Sequence, residues 1–148
     1  PPRLRRQRQM CIRDRDIGSQ LDFFTTILTL ADIEPSFNPE DSYDLSKTLK
    51  YLEPSPRQII PYFVGSELRA FRYKNHKIHF ITQGAYNLPP KRMEHEVPIL
   101  FNLTTDIGEE DELSNLDKIN EINRQVNLFQ EDLKIQNSLL DIQYIDLN

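Results

Sequence analysis

Cysteine is nearly missing from this chain of 148 residues: Cys11 is the only one, and none follows it. A single thiol excludes a disulfide framework and a thiolate metal site. Glycine is scarce as well, with Gly18, Gly65, Gly84 and Gly108 scattered singly, so no glycine-rich phosphate loop is present. No apolar run approaches the roughly 20 residues of a helical membrane span. Imidazole is limited to His76, His79 and His95. His76 and His79 stand three apart, and on a strand that spacing sends them to opposite faces. With no third ligand of matching geometry, a metal role is disfavoured for all three histidines. No Ser/His/Asp or Cys/His constellation stands in a context suited to nucleophilic catalysis.

What is present begins with an arginine cluster. Of 18 basic and 23 acidic residues, residues 1–15 hold six Arg and one Asp, which leaves 12 basic against 22 acidic beyond them. The leader is thus net +5 and the remainder net −10. Such a cluster would ordinarily suggest a nucleic-acid-binding arm, but it has neither interleaved aromatics nor a helical stripe. Arg5 to Arg15 also match, codon for codon, a translated transposase adapter with its mosaic end, as used to prepare sequencing libraries. Residues 1–15 are therefore read as an unstructured, adapter-derived leader carried in with a metagenomic read, and are set aside from the fold. The acidic remainder argues against nucleic acid and anionic membrane as partners.

Past the leader, Leu21, Phe24, Ile27, Leu28 and Ala31 repeat at helical spacing, and Ser19 with Asp22 forms a capping-box pattern. A helix over 19–32 is expected. Residues 34–57 carry four prolines and read as a connector with one helical turn near Leu45–Leu52. From Ile59 the composition turns β-branched and aromatic. Ile59–Val64, a turn at Gly65-Ser66, an alternating segment at 68–73, a turn at Asn75-His76 and Lys77–Ile81 give successive strands. A loop from Gly84 to Pro98 leads to a last strand at Ile99–Leu103. The expected sheet is antiparallel, of about four strands, within residues 59–103. Ile119, Ile122, Val126, Phe129 and Leu133 form one apolar stripe on a helix at 116–134. That stripe is expected to pack on the sheet rather than in a coiled coil.

An ordered set of short motifs crosses the middle of the chain. They are Asp44-Leu45-Ser46; Ser55-Pro56-Arg57; Arg69-Ala70-Phe71-Arg72 followed by His76-Lys77-Ile78-His79-Phe80; and Leu100-Phe101-Asn102-Leu103 running into Asp106-Ile107-Gly108-Glu109. In this order and spacing they resemble the C-terminal part of type I sulfatases, the arylsulfatase-like branch of the alkaline phosphatase superfamily. The family writes these places roughly as D-G-x-D-L-S, S-P-R, R-x-x-K-y-K-x-x-F and L-y-D-L-x-x-D-P-G-E. Gln20 to Leu28 look like its Q-x-D-x-x-P-T-x-L helix, with Thr25 in place of Pro. Ile107 replaces the proline of the D-P-G-E turn, and Gly108 is expected to keep that turn by adopting positive φ. The acidic run Asp106, Glu109, Glu110, Asp111 and Glu112 lacks the order of a calcium loop and reads as a turn before a helix N-terminus.

The resemblance implies an α/β alkaline phosphatase-like fold of which this chain holds only the C-terminal part. Residues 16–57 would end the main domain, and 58–148 would form the antiparallel sheet plus helix. It implies a sulfuric ester hydrolase whose calcium ligands and formylglycine lie upstream, since C/S-x-P-S-R does not occur here. No catalytic or metal residue carries over, and the fragment alone is expected to be inactive. The implied partners are the missing N-terminal catalytic domain and a sulfated small molecule or glycan, in a periplasmic or secreted setting. Gln83, Tyr86 and Asn87 are the candidate substrate-rim residues, in the loop after the hairpin. Alternatives are the tail of a related phosphate or phosphonate ester hydrolase, or a non-enzymatic sheet-plus-helix interaction module.

Overall fold

The computed structural model describes residues 16–34, 41–84 and 90–135. The leader at 1–15 lies outside them. Among the described residues three helices and four strands follow in order: α1 Asp22–Leu30, α2 Ser46–Tyr51, β1 Ile59–Val64, β2 Glu67–Tyr73, β3 His76–Thr82, β4 Met93–Asn102 and α3 Leu116–Ile135. The strands form one antiparallel sheet in sequence order, β1-β2-β3-β4.

Strand alternation sorts the sheet into two faces. The ladder aligns Pro61, Phe71, Ile78 and Leu100 in one row, with Ile59, Tyr73 and His76 in another on the same face. Phe71, Ile78 and Leu100 are fully buried there against Ile119, Ile122 and Val126 of α3. Phe129 adds ring contacts to Phe71 and Phe63, at centroid separations of 5.8 and 6.4 Å. The stripe on α3 therefore covers the sheet, as its spacing implied. Leu133, the last residue of that stripe, remains half-exposed. Asn115 begins the helix, its Oδ1 accepting the Lys118 N–H at 3.0 Å, the side-chain satisfaction that a first turn requires.

Several boundaries differ from the sequence expectation. α1 begins at Asp22, and the capping box does not close: Asp22 accepts the Ser19 N–H, whereas Ser19 Oγ accepts only the N–H of Leu21. The last strand starts at Met93 rather than Ile99, which shortens the loop. β4 is an edge strand whose register shifts opposite His79–Ile81, so it tolerates Pro98 in its interior. The second hairpin turns at Lys74-Asn75, one residue earlier than expected, because Tyr73 pairs with His76.

Both hairpin turns place positive φ at their first central residue, Gly65 at 62° and Lys74 at 53°. Glycine takes this conformation freely, but a side chain there meets its own backbone, at a cost of roughly 1–2 kcal/mol. Lys74→Gly is accordingly expected to raise stability by about 1 kcal/mol. Gly65→Ala should lower it by a similar amount, although a Cβ there would meet open space. Urea unfolding midpoints of the two variants test the pair, and a loss of stability in Lys74→Gly would contradict it.

Candidate functional site

The most thoroughly built polar centre joins α1 to the start of the sheet. α1 buries its polar side: Asp22 and Thr26 are enclosed, while Leu21, Phe23, Ile27 and Leu30 face outward. Arg57 donates from Nε to Asp22 Oδ2 at 2.7 Å and from Nη2 to Oδ1 at 2.6 Å, a two-pronged pair. Nη2 also reaches the Asp41 carbonyl at 2.7 Å, and the guanidinium lies 4.7 Å from the Tyr43 ring centroid. The Tyr43 N–H donates to Asp22, and the Leu45 N–H to Thr26 Oγ1. Thr25, standing where the family helix has proline, keeps an N–H that donates to Ser42 Oγ, and its hydroxyl donates to the same oxygen at 2.6 Å. Buried Ser55 donates to the Ile17 carbonyl at 2.5 Å. Burial opposes ionisation of Asp22, but the Arg57 hydrogen bonds and the N–H groups of Tyr43 and Ser19 outweigh it. The carboxyl is held below its ordinary range.

A second centre lies on the sheet face opposite α3. Lys77 and His79 point there, and Glu109 receives both: Lys77 Nζ donates at 2.6 Å, and His79 Nε2 lies 2.5 Å from the other carboxylate oxygen. The Phe101 ring meets His79 edge-on, and Lys77 Nζ sits 4.6 Å from the Tyr62 ring centroid. Glu109 itself has φ 57°, so positive φ falls on Glu109 and not on Gly108. The turn is held by Asp106, whose carboxylate accepts the N–H groups of Glu110 and Asp111, both at 2.9 Å. Burial foremost, with Lys77, keeps His79 below the usual imidazole range against the pull of Glu109. At neutral pH the ring is uncharged and its Nε2–H donates. Glu109 is lowered: burial opposes ionisation, and the hydrogen bonds from Lys77 and His79 overcome it.

Of the three rim candidates, Gln83 lies within the described residues, and Tyr86 and Asn87 lie outside them. Gln83 Oε1 accepts from Arg69 Nη1 at 2.7 Å. That arginine belongs to an exposed chain of ion pairs, Arg69–Glu67–Arg92–Glu94. Thr82 and His95 meet at 2.9 Å beside it. His76 is on the α3 face, where burial and then Lys118 depress its pKa. His76 and His79 thus point to opposite faces, as strand spacing requires. Among the described residues no group of three His, Cys, Asp or Glu side chains is placed to hold a metal ion. Sequence reasoning missed the Asp22–Arg57 pair. Its signal was available in a helix whose carboxylate sits opposite the apolar repeat, but nothing local links two residues 35 positions apart.

The comparisons bear on this arrangement directly. The family model for the C-terminal region of aryl-sulfatase matches residues 55–146, starting at the buried serine of Ser55-Pro56-Arg57. Among solved structures, a PsFucS1 sulfatase from Pseudoalteromonas sp. aligns at a TM-score of 0.57 and 20% identity, over 76% of this chain and 25% of that one. The chain thus spans about a quarter of that sulfatase's length. A search of curated proteins gave no match.

Removing one partner of a buried pair leaves the other charge uncompensated, at about 3–5 kcal/mol. Asp22→Ala is expected to cost that much in urea unfolding, and Asp22→Ala with Arg57→Met together should cost less than the two single changes summed. Additive losses would show that the pair is not coupled.

The pH dependence has one sign throughout. The folded state holds Asp22 and Glu109 below 3.8 and 4.5, so their stabilisation is present above those values and is lost as pH falls through the folded pKa. His76 and His79 sit below 6.5 when folded. The unfolded chain therefore takes up protons first, and stability declines as pH drops from 6.5. Denaturation midpoints should fall in two stages on acidification, and His79→Gln should flatten the upper stage alone. An unaltered upper stage in that variant would refute the assignment.

Proposed function

We propose that this chain, which belongs to the family of C-terminal regions of aryl-sulfatases, is the closing part of an enzyme that hydrolyses sulfate esters. The observation that carries the reading is the coincidence of the family match with built structure. The match opens at Ser55, whose enclosed hydroxyl holds the Ile17 carbonyl, and the enclosed Arg57 fastens Asp22 of α1 and the Asp41 carbonyl to the start of the sheet. A generic sheet-plus-helix module has no need of that clamp.

In this reading residues 16–57 complete the main domain and 58–148 form the C-terminal subdomain. The outward apolar side of α1, with Phe23 and Ile27 about 60% exposed, is the surface that docks on the upstream catalytic domain. Left open, it favours poor solubility of the chain alone. Calcium and formylglycine belong to that upstream part. The residues present fit neither group: the described residues offer no cluster of ligands, and C/S-x-P-S-R does not occur in the sequence. No step of ester cleavage is assigned to this chain. Its contribution is to the rim, where Gln83, Tyr86 and Asn87 offer hydrogen-bonding groups and an aromatic face to a sulfated small molecule or glycan. The setting is periplasmic or secreted. No helix among the described residues is long and apolar enough to cross a membrane. The arginine-rich leader is proposed to be adapter-derived, a point that the underlying DNA decides.

The experiment is to extend the reading frame upstream of Asp16 and express the longer protein beside the 148-residue chain. The longer protein should carry C/S-x-P-S-R and release sulfate from an aryl sulfate, and the short chain should release none. Faster release of phosphate from an aryl phosphate would assign the tail to a phosphoesterase instead. In the longer protein, Ala at Gln83, Tyr86 and Asn87 should raise KM on the enzyme's own substrate, by roughly fivefold for each lost hydrogen bond worth about 1 kcal/mol. Unchanged kinetic constants in all three variants would reduce the loop to a connector.

A further inference from the structure

A groove runs between α3 and the sheet. Leu68, Phe80 and Val126 form its apolar floor, Asn123, Asn127 and Gln130 form its wall, and its volume is about 230 Å³. The three amides follow at helical spacings of four and three, which places them on one flank of α3 beside the buried stripe. None of them makes a hydrogen bond among the described residues. No charged side chain lines the groove, although 28% of the chain is charged. That lining offers nothing to neutralise a sulfate, a phosphate or a basic peptide. A wholly apolar occupant would cover three amides and leave them unpaired, at a cost for each.

Primary amides both donate and accept, which matches hydroxyl groups that do the same. The half-buried Phe80 ring presents an apolar surface suited to the C–H face of a pyranose. The volume falls short of the roughly 300–1,000 Å³ of clefts for larger ligands, and so suits one ring rather than several. We propose that this groove binds a neutral sugar unit of a glycan. The inference stands on these six residues and not on the ester chemistry.

The test uses the full 148-residue chain, labelled with nitrogen-15 and titrated with neutral hexaoses of β-1,4-glucose, β-1,4-mannose and α-1,4-glucose, and with a sulfated hexaose. At least one neutral hexaose is expected to shift the side-chain amide signals of Asn123, Asn127 and Gln130, with a Kd on the order of 1 mM. Asn127→Ala and Gln130→Ala, both at exposed positions, should each weaken binding about fivefold without altering the rest of the spectrum. Raising salt to about 0.5 M should leave the affinity unchanged, since no charge is engaged. The proposal is overturned if no neutral hexaose moves those signals, or if both variants bind as well as the parent. It is overturned equally if binding is confined to the sulfated sugar and collapses with salt. Shifts that follow protein concentration alone would instead mark the groove as a contact between two copies, and would also overturn it.

Discussion

The enclosed pair between Asp22 and Arg57 determines how the helical segment sits on the sheet. α1 has nine residues, too short to persist in water on intrinsic propensity, and its apolar side does not supply the packing. It is held by its polar side. Asp22 takes the guanidinium in two prongs, Thr26 and Ser42 take up neighbouring backbone groups, and the same guanidinium reaches the Asp41 carbonyl. A buried ion pair is weak grounds for net stability, since desolvation cancels much of its attraction. Its two-pronged geometry is nevertheless specific, and a helix displaced by one position would leave both charges unpaired. No buried side-chain polar atom lacks a partner among the described residues, so the arrangement closes its own requirements.

The sheet resolves a different constraint. β2 is buried on both sides at adjacent residues, Ala70 towards one face and Phe71 towards the other. On the α3 face, aliphatic and aromatic burial suffices. On the other, Lys77 and His79 also have to be accommodated, and Glu109 meets both from a turn. That turn places a non-glycine residue in the left-handed region, a strained choice. Two hydrogen bonds to its carboxylate and the Asp106 cap of the same turn offset the strain. The neutral imidazole of His79 follows from being covered beside a lysine, and this makes the face sensitive to acid.

Polar residues that resemble functional groups, such as His79, Glu109 and Arg57, are each engaged in holding elements together. Gln83 is likewise taken up by Arg69, whereas the side-chain amides of Asn123, Asn127 and Gln130 on α3 make no hydrogen bond among the described residues. The outward Phe23 and Ile27 of α1 are unusual for an isolated small domain and natural for a piece that continues into a larger one.

The sequence by itself determined the strands, the covering helix and the family. Alternation over Leu68–Tyr73 and a stripe at spacings of three and four are local patterns that the backbone period reads directly, and ordered motifs survive when single residues change. Local pattern also misled in identifiable places. The apolar repeat of α1 marked the helix without showing how it is seated, because periodicity marks which residues share a side but not which side is covered. Gly108 was expected at positive φ by residue type, whereas contacts to Lys77 and His79 placed it on Glu109. Pro98 was expected in a loop, because an edge position that tolerates it is a property of the whole sheet. Only the tertiary structure decided that Arg57 meets Asp22 across 35 residues of chain. The reason is physical: a charge can be buried only where folding brings its partner, and that partner need not be near in sequence.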